Sequence, residues 1–293
     1  MTRKKQRIET DFFRQLDRFT FAVRKRVSTV YAGNRPSTRA GHGIDTIGFR
    51  EYNKSDAIKD IDWKAYARSE KLYVRQFEEE KTLTTHILLD SSKSMDYPEV
   101  GTSKFEYAAM LAAGLAYMVS KYNDRFAIST FGENLEVHRP KRGRKNLLQT
   151  LDRLSELELS GGTSIESCVS RYNREIKSRS LVILISDFLD KPEAIESAVY
   201  RLSDHDLILI QVLDPSEKVL PLKGHSKLVD LESGEEIRTY VSNKFKERYE
   251  EKLDEHTARI RKVCLRVGAE FYSFTSETPI FEAFYNTIRR RRR

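Results

Sequence analysis

The sequence predicts an α/β fold, a doubly wound and mostly parallel six-stranded sheet with helices on both faces. Three observations carry that prediction. Short apolar runs recur at Thr84 to Leu89, Phe126 to Phe131, Leu181 to Ser186, Leu207 to Val212 and Glu270 to Phe274. Such runs suit strands covered on both faces, because a half-exposed strand would alternate apolar and polar residues. Amphipathic segments separate them, and strands alternating with helices imply right-handed crossovers between parallel neighbours. A shorter run, Leu135 to His138, follows a turn at Gly132 and reads as an edge strand, the sixth.

The helical segments follow in chain order. Phe105, Ala108, Ala109, Ala112, Leu115, Ala116, Val119 and Tyr122 share one helical face. Leu147, Leu148, Leu151, Leu154 and Leu157 mark a second helix, and Ile165, Cys168, Val169, Tyr172 and Ile176 a third. Asp190-Lys-Pro-Glu193 offers an N-cap, a first-turn proline and a capping-box glutamate for a fourth. Residues 218–241 read as a β-hairpin insertion turning at Ser233-Gly234, and residues 244–267 as a long charged helix returning to the last strand. Residues 1–81 break the rhythm, with one helix over about Asp11 to Val30 and then a Gly-, Arg- and Asp-rich stretch. The expected division is therefore 1–81, an α/β domain over 82–278, and a C-terminal helix with a basic tail over 279–293.

Composition narrows the class. Hydrophobic residues make up 39% of the chain, enough to build a core. No apolar stretch reaches the roughly 18 residues a membrane span needs, and the charged N-terminus lacks the apolar region of a secretory signal. The two cysteines, Cys168 and Cys264, lie in helical apolar patterns and read as buried thiols in a reducing compartment. These features predict a cytoplasmic protein. Net charge is +8, concentrated at Arg3 to Arg7 and Arg289 to Arg293. Such runs can contact nucleic acid or an anionic membrane surface, but no RNA-binding, zinc-finger or helix-turn-helix signature accompanies them.

The chemistry concentrates at three loops. In an open parallel sheet, ligands gather beyond the carboxyl ends of the strands. Asp90 closes one strand there, and Ser92 and Ser94 stand at alternate positions of the following loop. Asp187 closes a second strand, and Thr163 follows two glycines ahead of a helix. Hydroxyls and carboxylates form an all-oxygen set that suits a hard cation, magnesium first, with manganese or calcium as alternatives. With the serines as ligands and the acids acting largely through water, the ion would stay electrophilic and could accept a carboxylate from a partner protein. Thr163-x-x-Glu166 also fits a capping box, so Thr163 has a structural alternative.

These residues carry a resemblance. Asp90-Ser-Ser-Lys-Ser94, Gly162-Thr163 and Ser186-Asp187, in this order, look like the metal-ion-dependent adhesion site of von Willebrand factor A domains. The likeness covers about Thr82 to Phe274. It implies a six-stranded sheet with one antiparallel edge strand, and magnesium held at Asp90, Ser92, Ser94, Thr163 and Asp187. Further segments resemble the bacterial proteins grouped as domain of unknown function 58: Arg50-Glu51-Tyr52, Asp60-Ile61-Asp62-Trp63, Ala67-Arg68 and Leu72-Tyr73-Val74-Arg75. Asp214-Pro215, Asp230-x-Glu232-x-Gly234 and Thr278-Pro279-Ile280 continue the match. Many such proteins carry membrane-spanning segments before this region, and none is seen here. The resemblance implies an adaptor or substrate-handling partner for a MoxR-type AAA+ ATPase. The acids and arginines of the 50–77 segment, set around Trp63, Tyr66, Tyr73 and Phe77, read either as a structural buckle or as a partner-binding surface.

The rival readings are catalytic or electrostatic. Aspartyl phosphatases place a second acid two residues after the nucleophile, and here that position is Ser92. No phosphate-binding glycine loop or Gly-x-Ser-x-Gly elbow is present, and the six histidines show no metal-ligand spacing. The sequence thus points to a non-catalytic, magnesium-dependent interaction module. Nucleic-acid or membrane-surface binding through the basic termini is the alternative, and a metal-dependent phosphatase the least favoured.

Overall fold

The computed structural model describes residues 41–53, 58, 61–77, 84–98, 101–232 and 234–288. The expected helix over Asp11 to Val30 and the arginine tail lie outside these residues. The chain divides into two compact units, the smaller within 28–82 and the larger from 83 onward.

In the smaller unit, β1 (Gly41–Glu51) and β2 (Tyr73–Phe77) form an antiparallel pair, with α1 (Trp63–Ser69) between them. Asp62 starts that helix: its carboxylate accepts from the Lys64 and Ala65 N–H groups at 2.9 and 3.0 Å. Arg68 donates to Lys64 O at 3.3 Å. Ile61 and Val74 are buried, whereas Trp63 and Tyr66 are exposed and meet edge to face, ring centroids 6.2 Å apart. Asp60 and the side chains of Arg75 and Phe77 lie outside the described residues.

The larger unit holds the six-stranded sheet. Its strands are β3 (Thr85–Asp90), β4 (Phe126–Phe131), β5 (Leu135–Glu136), β6 (Leu181–Ser186), β7 (Asp206–Leu213) and β10 (Glu270–Thr275). Their spatial order is β10-β7-β6-β3-β4-β5, parallel throughout except for the β5 edge. This is the von Willebrand factor A-like arrangement the motifs imply. Every residue of β3, β4 and β6 is buried, which is why these strands read as unbroken apolar runs.

Helix α2 (Lys104–Lys121) packs on one face beside α3 (Arg144–Glu156) and α8 (Ile280–Ile288). Helices α4 (Ile165–Asn173), α5 (Pro192–Arg201) and α7 (Asn243–Val267) cover the other, around Val182, Leu184, Val199 and Ile260. Cys168 and Cys264 are buried and unbridged in that layer, and burial pushes the Cys264 thiol up to about 12. One detail departs from expectation. Pro192 takes the first helical position of α5, so Lys191 rather than Asp190 is the N-cap, and no side chain caps it. Asp190 accepts from Lys191 N–H instead, and Glu193 pairs with Arg259 on α7 at 3.0 Å.

After β7 the chain makes one short turn of helix, α6 (Pro215–Lys218), and then a hairpin of β8 (Gly224–Val229) and β9 (Glu236–Val241). From β3 the chain runs outward through β4 and β5, then crosses back to build β6, β7 and β10 on the other side. The switch point therefore lies between the carboxyl ends of β3 and β6, where loops diverge and leave a crevice.

Candidate metal centre

Asp90 and Asp187 stand at that switch point. Asp90 ends β3, is fully buried, and accepts from Ser92 N–H at 2.9 Å and from Ser186 Oγ at 2.5 Å. Among the described residues no cation pairs with it. Burial, and then the neighbouring Asp187 charge, push its carboxyl up to about 7 despite those hydrogen bonds. A buried carboxylate at this electrostatic cost is neutralised either by a proton or by a cation.

The loop after β3 supplies the hydroxyls. Ser92 precedes a 3₁₀ turn over Lys93–Asp96 that is anchored by buried Met95. The turn brings Ser92 Oγ to 3.0 Å from Ser94 Oγ, and Ser94 Oγ donates to Asp187 Oδ2 at 3.0 Å. Phe188 adopts a left-handed backbone (φ 52°), and its N–H donates to Ser186 Oγ at 3.0 Å. That sharp bend turns the chain immediately beyond Asp187.

A chain of groups holds Asp187 in place. Its Oδ1 accepts from Leu189 N–H at 3.2 Å, and Gln211 on β7 donates to its backbone carbonyl at 3.0 Å. Its Oδ2 also receives the ammonium of Lys104 at 2.7 Å, which reaches Glu217 Oε1 at 2.6 Å. Lys104 is fully buried. Burial opposes its charge, but Asp187 and Glu217 outweigh that cost and raise its pKa. Ser103 and Glu106 form a capping box that sets the first turn of α2, and Asp214 and Glu217 do the same for α6. Lys104 and Glu217 were not singled out from the sequence. One signal was available: a lysine in the first turn of a helix opposes the helix dipole, so it needs a local reason to be there.

Thr163 reaches the neighbourhood through its loop. Lys93 N–H donates to Gly161 O at 3.0 Å, tying the two loops together. Gly161 adopts φ +69°, and a Cβ there would collide with the Glu133 side chain, so only glycine fits. Thr163 does not cap α4, whose N-cap is Ser164 without a side-chain bond. Its hydroxyl donates to Glu232 Oε1 at 3.0 Å and its N–H to Glu232 Oε2 at 3.1 Å. Asp90, Ser92, Ser94 and Asp187 are thus linked directly, whereas the Thr163 side chain is turned to the hairpin.

The donor set fits a hard divalent cation. Cis oxygens around an octahedral magnesium, bonded at roughly 2.0–2.1 Å, lie about 3.0 Å apart. The Ser92–Ser94 and Ser94–Asp187 separations match that edge. Among the described residues no group of three or more His, Cys, Asp or Glu is placed to hold a metal, so a cation here would rely on the serine hydroxyls beside the two acids.

Similar chains are found among known proteins and solved structures. The uncharacterized protein Rv1480 of Mycobacterium tuberculosis is 22% identical over 275 residues, covering 92% of this chain and 87% of its own. Among solved structures, BatB of Bacteroides thetaiotaomicron is 17% identical at a TM-score of 0.44, covering 70% of this chain and 97% of its own. An aerotolerance-related membrane protein of Bacteroides fragilis is 16% identical at 0.46, covering 71% and 100%. In this chain, no helix among the described residues is long and apolar enough to cross a membrane. The model of the family described as protein of unknown function DUF58 matches residues 48–259, more than half of the sequence, and the chain belongs to that family.

Proposed function

We propose that the larger unit is a non-catalytic, cation-dependent protein-interaction module. Asp90, Ser92, Ser94, Thr163 and Asp187 would hold magnesium, or manganese or calcium in its place. When bound, the cation supplies an electrophilic position for a carboxylate of a partner protein. The observation that carries this reading is the run of 3.0 Å oxygen contacts from Ser92 through Ser94 to Asp187, set beside a buried Asp90 with which no cation among the described residues pairs. Lys104 compensates Asp187 and Glu217 but not Asp90, which leaves a charge for a cation to balance.

The residues of this chain then have separable tasks. Ser186 and the Ser92 N–H orient Asp90, the 3₁₀ turn presents the two serine hydroxyls, and Lys104 with Gln211 fixes Asp187. A hydrolytic reading gains no support here. The position two residues after Asp90 carries a serine hydroxyl, too weak an acid to protonate a leaving group.

By resemblance, the partner is a MoxR-type AAA+ ATPase or a client delivered to one; the cytoplasmic location is read from the sequence, from its charged N-terminus and its cysteines in apolar helical patterns. The test is affinity capture from cells with magnesium and with chelator. Asp90→Ala and Ser92→Ala should abolish magnesium-dependent capture while leaving the fold intact by circular dichroism. Unaltered capture by folded variants would sink the metal-bridged contact.

A further inference from the structure

Glu232 belongs to the turn of the β8–β9 hairpin, sixty-nine positions from Thr163 in the chain, yet both of its carboxylate oxygens are engaged by that threonine. The turn is built to aim it. Asp230 Oδ1 accepts from Glu232 N–H at 2.8 Å, Asp230 O accepts from Gly234 N–H at 2.9 Å, and Asp230 N–H donates to Glu235 O at 2.9 Å. Lys227 and Glu236 pair across the hairpin at 2.6 Å. On the receiving side, Gly162 leaves room: a Cβ there would stand 3.1 Å from Glu232 Oε2.

We infer that Glu232 is an internal ligand of the candidate metal centre, placed where a partner's carboxylate would otherwise bind. This rests on the metal reading proposed above. The Thr163 Oγ1 to Glu232 Oε1 separation, 3.0 Å, is the same cis-oxygen edge seen between Ser92 and Ser94 and between Ser94 and Asp187. A cation that takes Thr163 therefore has the Glu232 carboxylate within reach. A hydroxyl that donates its proton keeps its lone pairs for a cation, so the contact and coordination are compatible. The hairpin becomes a lid that carries its own acid. It strengthens cation binding and holds off outside carboxylates until it swings away.

The two effects have opposite signs, and a purely structural role for Glu232 would not separate them. The probes are Mn²⁺, followed by electron paramagnetic resonance and water-proton relaxation, and acetate as the external carboxylate. Glu232→Ala should bind Mn²⁺ about 10-fold more weakly, a typical loss for a supporting ligand. Relaxation per bound ion should rise as water takes the vacated position. Acetate should then lower that relaxation in the variant but not in the wild type. Glu232→Gln, which can still accept from Thr163 N–H, keeps the test valid if the alanine variant does not fold. Equal affinity and equal relaxation in loaded wild type and variant would overturn the inference while leaving the metal centre standing. A wild type that takes up no Mn²⁺, or takes it up equally well after Ser92→Ala, would overturn both.

Discussion

Strand β3 carries two buried polar clusters, and they solve the same problem in opposite ways. Near its amino end, His86 Nδ1 lies 3.0 Å from the Tyr172 hydroxyl, and Ser129 Oγ donates to that hydroxyl at 3.3 Å. Burial, with His205 adding to it, lowers the His86 pKa to about 4, and burial raises Tyr172 to about 12, so both stay neutral. That cluster closes on itself. At the carboxyl end, Asp90, Asp187 and Lys104 are buried and Glu217 is half-buried, and the one ammonium pairs with two of the three acids, Asp187 and Glu217. Three residues of one strand, Ile87 to Leu89, separate a neutral network from a charged one short of positive charge. Structural polar groups in a core satisfy one another, whereas this set holds more acid than ammonium, the imbalance that the proposed cation would answer.

The largest expected effect tests the charged cluster. Lys104→Met strands Asp187 and Glu217 without their cation, and should cost about 3–5 kcal/mol in urea unfolding with chelator present. A cost below about 1 kcal/mol would mean that the ammonium is no structural part of the site.

The neutral cluster has a pH signature. The folded pKa of His86 lies below its unfolded value of about 6.5, so the unfolded chain binds the proton first. Stability is therefore fully present above pH 6.5 and is lost as pH falls toward 4, by up to about 3 kcal/mol. His86→Phe should flatten the stability profile between pH 6.5 and 5. An unchanged slope would show that the imidazole is not held neutral by the core.

A smaller effect of inverted sign sharpens the contrast. Asp90→Asn removes a buried charge while preserving its shape, so in chelator the variant should be more stable than wild type, by about 1–2 kcal/mol. In magnesium the order should reverse, because only the wild type gains a ligand. Ser94→Ala should change stability least, by under about 1 kcal/mol in chelator, since its hydroxyl is only part-buried. Its signature is weaker cation uptake.

The strands and most helices were legible because burial on both faces leaves continuous apolar runs and amphipathic helices leave periodic ones. The start of α5 was misread by one residue: Pro192 sets the first helical position and overrides Asp190, the better capping residue. At the site, Asp90, Ser92, Ser94 and Asp187 could be named because each sits within a few residues of a strand end. Lys104 is masked by the apolar periodicity of the helix it begins, whose pattern rests on the residues after it. Glu217 closes a capping box with Asp214 in the structure while also holding Lys104, a long-range contact that local spacing does not encode. The Thr163–Glu232 contact joins loops far apart in sequence, and no local pattern encodes it.

The central claim is that the switch point binds a divalent cation through hydroxyls and acids together. Magnesium titration by calorimetry, paired with thermal unfolding on the same samples, tests it most directly. The account predicts one saturable site in the wild type and, at a hundredfold excess over Kd, a stabilisation of about 2.7 kcal/mol. Both should disappear in Asp90→Asn and in Ser92→Ala. No uptake by the wild type, or uptake that these variants retain in full, would contradict it.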